Sequence, residues 1–447
     1  MITAELQHDW LQQRLADKAT SPAHYPAWLV AVREQASLAL KALPVLDRKL
    51  EDWRYTSVEN LLKLQFEPAD VTTTPASDVQ PADIQQHFID GLDTHRIVLL
   101  NGRYAPHLSG DATLPAGLKL ESIRDVLAAD PDMLATWFGQ TAQHNEQVFT
   151  ALNTALMNDG VLLHVNSGVV LERPIEIIYI GTDSEHTLLL QPRNLVVLDE
   201  GASATLIERF IGNTDTVYFH NHVSEIVVGS HASLKHYRIQ YESRQAYHLS
   251  SVYLSQQAES YYHGTTLSFG GAWNRTEYYT AFKQENAVCN LNGLCMVGDK
   301  QLSDFHLKVH HAVPGCTSRE RFKGILYGKG RAVFDGYIHV DKLAQRSDAE
   351  LTNDNLMLTR DAEVDTRPQL EIYADDVKCS HGTTIGELDQ QQIFYLRSRG
   401  IDEETARKML CIGFANNIID SIDIPALYDD AVIKLNDTLN TAVISRL

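Results

Sequence analysis

Residues 374–382, with the sequence ADDVKCSHG, carry the side chains best suited to chemistry in this chain. On a β-strand, residues two apart share a face, so the Cys379 thiol and the His381 imidazole should point the same way, with Cα atoms about 6.6 Å apart. This pair suits zinc, iron or an iron-sulfur unit, but a closed tetrahedral site needs four ligands and no second pair lies nearby in sequence. The residues alone leave two interpretations open: half a metal site, or a half-buried cysteine beside a hydrogen-bonded histidine.

Two other histidine pairs are spaced to share a strand face. They are His220 with His222 and His306 with His310, whereas His311 would face the other way. The chain contains 19 histidines, so pairs at this spacing are expected by chance. We interpret them as ordinary solvated or hydrogen-bonded imidazoles.

Motifs typical of enzymes are absent from the sequence. Gly324, Gly328 and Gly330 lack the G-x-x-x-x-G-K-[ST] order of a phosphate-binding loop, so they are predicted to serve tight corners, and no ATP site is expected in this chain. There is no G-x-S-x-G elbow, and no carboxylate pair stands out as an acid/base couple. The residues themselves therefore indicate no catalytic activity.

Composition limits the partners and the compartment. The 447 residues, 44% of them apolar, suffice for two to four folding units. With 38 Lys and Arg against 58 Asp and Glu, the net charge of −20 argues against nucleic acid and anionic membranes as partners. The sequence contains no membrane-length apolar run and does not begin like an export signal, and its 5 cysteines form no disulfide framework. We expect a soluble cytoplasmic protein.

A repeat organises the region from about residue 161 to 385, where short segments alternate β-branched or aromatic residues with polar ones. An alanine recurs in similar turns at spacings near multiples of fifteen residues, at Ala202, Ala232, Ala258, Ala287, Ala332 and Ala362. This spacing favours a parallel β-helix with about thirty residues per coil and two main sheets. A β-sandwich, or an antiparallel meander with long hairpins, remains an alternative.

Helical patterns flank this β region. Residues 1–60 and 121–158 show helical periodicity, whereas residues 65–95 are predicted to be a linker or extended cover. After Gly386, helical segments are punctuated by Gly400 at a helix end and by Asp402 as an N-cap. We therefore divide the chain into a largely helical N-terminal domain (1–160), a β-helix core (161–385) and a C-terminal helical domain (386–447). The helices could cap the open ends of the solenoid, or its last coil could dock another solenoid.

Longer motifs resemble a known family. The similarity spans almost the whole chain and is densest from about 300 to 415. The matching segments are EDWRYT at 51–56, FDG at 334–336, AQ at 344–345, N-x-NL at 353–356, DTRPQLEI at 365–372, ADDVKCSHGTT at 374–384 with Gly386, and FYL-x-SRGI at 394–401. In these segments the chain is similar to the SufB/SufD family of iron-sulfur cluster assembly proteins.

The resemblance implies a right-handed parallel β-helix core between helical terminal domains, in a non-catalytic subunit. It implies a SufB-like partner at the end of the β-helix and a SufC-like ATPase docked on the helices after Gly386. Cys379 and His381 would lie at the junction with the SufB-like subunit, where the histidine is linked to building the nascent cluster. The sequence lacks the extra cysteine-rich motif of SufB, which favours the SufD side of the family. Thr383 stands where alanine is common.

The expected cargo follows from the same resemblance. No cofactor should be stably held by this chain alone, and iron or a transient iron-sulfur cluster should be held at the partner interface. Two alternatives remain, a β-helix carbohydrate-active enzyme and a structural interaction solenoid without a metal role. Self-pairing of the isolated chain through the solenoid end also remains open.

Overall fold

The fold is described from a computed structural model that covers residues 2–17, 25–69, 79–110, 113–182, 187–212 and 215–444. The predicted linker at 65–95 falls partly outside these ranges, at residues 70–78. Its described parts are not simply a linker, because they contain a short strand, a helical turn at Pro81–Ile84 and the first residue of a sheet strand, His95.

Two long sheets form the centre of the molecule, with strands numbered in chain order. Sheet A contains β1 (Glu67–Pro68), β4 (Leu118–Ser122), β5 (Gly160–Val165), β7 (Leu188–Leu190), β8 (Arg193–Leu198), β10 (Tyr218–Val228), β12 (Tyr247–Gln256), β14 (Trp273–Phe282), β16 (Leu302–His311), β18 (Arg331–Val340) and β20 (Glu363–Ile372). Sheet B contains β2 (His95–Leu100), β3 (Arg103–Tyr104), β6 (Ile175–Gly181), β9 (Ser203–Gly212), β11 (Ser233–Tyr241), β13 (Tyr261–Ser268), β15 (Val288–Val297), β17 (Thr317–Leu326), β19 (Asp348–Met357) and β21 (Lys378–Gly386).

From β8 to β21 the chain winds alternately through the two sheets, so consecutive strands belong to different sheets and neighbours within a sheet are parallel. The earlier pairs β2–β3 and β4–β5 each lie within one sheet and are antiparallel. In sheet A, one coil takes 26 residues from Tyr247 to its partner Trp273 and 32 residues from Arg331 to its partner Glu363. The predicted parallel β-helix with about thirty residues per coil is therefore confirmed, and the sandwich and meander alternatives are excluded. Strands that precede residue 161, the predicted start of the β-helix core, also belong to these sheets: β2 to sheet B and β4 to sheet A.

Residues along each strand alternate between the inner and the outer face, and the inward-facing side chains fill the interior of the solenoid. In β18, Phe334 and Ile338 point into the main apolar core, whereas Tyr337 and His339 face outward and are only partly buried. Most of the recurring alanines, such as Ala232 and Ala287, are buried at corners where a small side chain fits. The hydrophobic pattern therefore sets the register, because a slip of one residue would turn the apolar set outward.

Ten α-helices of the described residues flank the solenoid. They are α1 (Ile2–Asp17), α2 (Ala27–Ala42), α3 (Glu59–Leu62), α4 (Pro81–Ile84), α5 (Ile123–Ala129), α6 (Pro131–Ala135), α7 (Val148–Leu156), α8 (Gln390–Ser398), α9 (Glu403–Ile419) and α10 (Pro425–Ile444). The predicted Asp402 cap is present, because its carboxylate accepts a hydrogen bond of 2.9 Å from the Thr405 amide. Gly400 follows α8 with a φ of +88°.

The helices pack mainly on the outer faces of the sheets. Trp53, in the N-terminal part, stacks on Trp273 of sheet A with ring centroids 6.4 Å apart. On sheet B, Ile418 of α9 and Leu427 of α10 share an apolar cluster with Leu294 of β15 and other outward-facing residues. The helices thus lie along the faces of the sheets, whereas the sequence suggested that they could cap the open ends of the solenoid. Most side chains of the last strand, β21, remain exposed.

Candidate functional site

The candidate ligands Cys379 and His381 lie together on β21, the last strand of sheet B. Their partners in β19 are Ala349 and Leu351, which belong to the buried interior of the solenoid. Since parallel partners in register point the same way, Cys379 and His381 are both on the inner face. The structure therefore brings the two side chains onto one face, at the rim of the open coil.

The two side chains differ in their surroundings. Cys379 is half-buried and packs against the main core, whereas His381 is exposed. Within the described part of the chain, no hydrogen-bond partner of the His381 ring is found. The imidazole is therefore free to meet a group from outside.

The pKa of the Cys379 thiol lies above its ordinary value. Burial is the main cause that raises its pKa, and the carboxyl groups of Asp348 and Glu320 raise it further, against a backbone hydrogen bond from Ala349 that lowers it. A thiol must lose its proton to ligate a metal, so metal binding at Cys379 would release a proton.

The last coil presents an open edge next to this pair. β20 and β21 end the two sheets, and neither has a further strand beyond it among the described residues. Large apolar side chains are exposed here, with Ile372 at 39%, Tyr373 at 55% and Ile385 at 55%. Unpaired strand edges with exposed apolar residues are a template for pairing with another chain.

A buried acid, Glu320, lies two strands below this pair and was missed by the sequence reasoning. On β17 it is the register partner of Leu351, which in turn pairs with His381. Neither carboxyl oxygen makes a hydrogen bond of good geometry within the described residues, and burial raises the pKa of Glu320 to about 8. Glu320 is two residues from Phe322 on β17, so both side chains point to the inner face. This placement can be recognised in the sequence only once the inner face is known.

His220 and His222 share one face of β10, as predicted, and the structure shows that this is the inner face. Each imidazole contacts a buried glutamate: His220 Nδ1 lies 3.2 Å from Glu242 Oε1, and His222 Nε2 lies 3.4 Å from Glu208 Oε1. Although burial by itself raises the pKa of Glu208, the nearby imidazoles and Arg238 lower it well below its usual value. These histidines take part in a polar network inside the solenoid.

The pair His306 and His310 shares the outer face of β16, and His311 faces inward as predicted. His306 is buried and lies 3.0 Å from Asp304 Oδ1, whereas His310 is exposed and lies 2.8 Å from Asp341 Oδ2. Burial lowers the pKa of His311 to about 4.

The glycines at 324, 328 and 330 are not grouped in a phosphate-binding loop. Gly324 is within β17, and Gly328 and Gly330 lie in the corner that follows it. Gly328 has a φ of +57°, and a Cβ at Gly330 would collide with the Val297 carbonyl, so both corner positions require glycine.

Comparisons with known proteins match this architecture. Residues 179–414 match the family described as SUF system FeS cluster assembly, SufBD core domain, and residues 7–177 match the SufBD protein N-terminal region. The chain is 34% identical to the iron-sulfur cluster assembly protein SufD of Escherichia coli (strain K12), over 88% of this chain and 89% of that protein. The chain belongs to the SufBD family.

Other SufBD relatives extend the similarity across bacteria and plants. A SufBD family protein of Synechocystis sp. is 30% identical over 93% of this chain and 92% of its own length. The chloroplastic protein ABCI7 of Arabidopsis thaliana is 29% identical over 94% of this chain and 88% of its own length. Membership of the SufBD family places the chain in the SUF system of iron-sulfur cluster assembly.

The C-terminal helices of this SufBD chain carry further exposed apolar side chains, Phe394 and Tyr395 of α8 and Met409 of α9. Phe394 is 73% exposed, Tyr395 57% and Met409 46%. Among the described residues, every helix is too short or too polar to cross a lipid bilayer.

Proposed function

We propose that this chain is a non-catalytic scaffold subunit of the SUF complex that supplies part of a shared iron or cluster site. A SufB-like subunit pairs with the last coil, β20 and β21, and completes the ligand set begun by Cys379 and His381. The observation that carries the proposal is the pairing of a half-buried thiol with an exposed imidazole on one face of an open edge strand.

Two ligands do not close a site for iron or zinc, which usually takes four or more. The exposed imidazole of His381 is placed to reach a metal shared with another chain. The free edge of β21 offers backbone groups for strand addition, a common mode of protein recognition. Cargo held at such a junction is released when the two chains separate, which suits a cluster built for transfer.

The first experiment measures iron and sulfide in the purified complex reconstituted with its SufB-like and SufC-like partners. We expect His381→Ala and Cys379→Ser each to reduce cluster content strongly. Ser380→Ala is the matched control, because Ser380 lies between the two ligands on the opposite face of β21. Undiminished iron and sulfide in the double variant would favour a structural solenoid without a metal role.

A SufC-like ATPase is proposed to dock on the exposed apolar side chains of Phe394, Tyr395 and Met409, because exposed large apolar residues can mark interaction sites. Movement of the docked ATPase can reach the solenoid through fixed contacts. Lys323 of β17 donates a hydrogen bond of 3.0 Å to the Phe414 carbonyl of α9, and Tyr237 of β11 donates one of 2.6 Å to Asp423. ATP-driven dimerisation of the ATPase would strain the partner interface along this route and open it.

The docking proposal is tested by capture of the purified ATPase subunit. Phe394→Asp should abolish capture, because the charge replaces an apolar anchor without touching the solenoid. Leu38→Asp is the matched control, since Leu38 is an exposed apolar residue on α2 in the N-terminal region. If Phe394→Asp captures the ATPase as well as Leu38→Asp does, docking at these side chains is contradicted.

A further inference from the structure

A second group of ligand atoms lies on the outer face of sheet A. His310 of β16 and His339 of β18 are register partners on adjacent strands, and Asp341 directly follows β18. The Nε2 atom of His310 is 2.8 Å from Asp341 Oδ2, and the Nε2 atom of His339 is 3.0 Å from Asp341 Oδ1. The three ligand atoms all lie within 4.8 Å of one another.

The hydroxyl and the carboxylate behind His339 favour the tautomer that carries its proton on Nδ1. The Tyr337 hydroxyl donates to Glu371, so its oxygen is left to accept a hydrogen bond from His339 Nδ1, 3.1 Å away. Glu371 Oε2 also lies 3.6 Å from Nδ1. With the proton on Nδ1, the lone pair of Nε2 points toward the Asp341 carboxylate. This outer shell is the one that orients metal-binding histidines in proteins.

A lone pair and a carboxylate oxygen at 3.0 Å repel each other unless a cation lies between them. A proton on one imidazole would relieve this single contact. Two imidazoles that converge on the two oxygens of one carboxylate form a wider pocket with three donor atoms. This donor set of two nitrogens and one oxygen suits a divalent transition ion better than Ca²⁺ or Mg²⁺, which prefer oxygen ligands alone.

The group is accessible from solvent. The side chains of His310, His339 and Asp341 are 46%, 27% and 40% exposed. His310 also lines a groove of about 600 Å³ together with Tyr279 and Lys308. An ion could therefore enter directly, and open coordination positions would face water or a small ligand.

We propose that His310, His339 and Asp341 form a binding site for a divalent first-row transition ion, Fe²⁺ or Zn²⁺, with Glu371 and Tyr337 as its outer shell. The site is separate from Cys379 and His381, which lie on the inner face of sheet B. It does not rest on the function proposed above.

The experiment measures Zn²⁺ binding by titration calorimetry, and Fe²⁺ binding by anaerobic equilibrium dialysis, to the full-length chain carrying Cys379→Ser and His381→Ala. This background removes the two ligands proposed above, so the result for one proposed site does not depend on the other. We expect one ion per chain. His339→Ala and the isosteric Asp341→Asn should each weaken binding at least about tenfold, and Glu371→Gln by about tenfold through loss of the outer-shell contact.

The matched control is His231→Ala, because His231 is an exposed histidine that also lies beside a carboxylate, 3.4 Å from Glu259, but with no second imidazole in that cluster. This variant should bind the ion like its parent. Equal affinity in the parent, His339→Ala and Asp341→Asn, or no binding of either ion, would overturn the proposal and leave a protonated histidine pair. Circular dichroism of Asp341→Asn serves to check that the fold is kept.

Discussion

Replacing the buried acid Glu320 with glutamine tests how the interior near the open coil responds to pH. The ordinary pKa of a glutamate carboxyl is 4.5, and burial raises that of Glu320 to about 8. Between these values the folded chain keeps the proton while the unfolded chain loses it. Stability contributed by the protonated carboxyl is therefore complete below pH 4.5 and is lost as the pH rises toward 8.

The magnitude follows from the size of the shift. The pKa rises by 8 − 4.5 = 3.5, and each pH unit in this window corresponds to about 1.4 kcal/mol, which gives a ceiling of about 5 kcal/mol. Between pH 5 and pH 8 we expect the wild-type chain to lose about 3 kcal/mol of unfolding free energy relative to Glu320→Gln, which cannot ionise.

The assay is urea denaturation of both chains at several pH values from 5 to 8, followed by circular dichroism. Only the difference between the two chains is used, so other titrating groups cancel. Glu350→Gln, at an exposed carboxylate on the neighbouring strand β19, is the matched control for removing a negative charge here. If the wild-type and Glu320→Gln curves run parallel across this range, the Glu320 carboxyl does not titrate as the structure requires.

Three further changes test the packing of the solenoid and its helices. Trp53→Ala removes a buried ring that lies against Arg275 at 4.0 Å, and should lower the unfolding free energy by about 3–5 kcal/mol in urea titrations; a loss near zero would contradict this packing. Gly293→Ala places a Cβ on the Phe322 ring and should cost about 1–3 kcal/mol, unless the ring can move without strain. Asp402→Ala removes the cap of α9, so amide exchange in its first turn should become roughly fivefold faster, and unchanged exchange would argue against the cap.

Sequence reasoning predicted the repeat well because the solenoid is built from local rules. Corner alanines and alternating strands recur once or twice per coil, so the period of about thirty residues could be recognised from the sequence alone. Gly400 and Asp402 were placed correctly for the same reason, since helix caps depend on neighbouring residues only. In contrast, β2 lies in a segment of mixed composition, and its place in sheet B depends on pairing with β6, far along the chain.

The candidate site was predictable only in part. The placement of Cys379 and His381 on one strand face follows from their spacing, but their position at an exposed rim follows from where the sheets end. The grouping of His310 with His339 was invisible in sequence, because 29 residues separate these partners. Coil length sets that distance, and no short motif encodes it.

The polar network within the solenoid has a consequence for how reagents reach the rim. Glu208, Arg238 and the buried tyrosines Tyr262 and Tyr278 fill the middle coils with side chains that are almost entirely inaccessible. The interior of these coils is therefore a packed core of side chains. With the middle coils filled in this way, the site proposed at the rim would receive its iron and sulfur from solvent or from the neighbouring polypeptide and not along the axis of the solenoid.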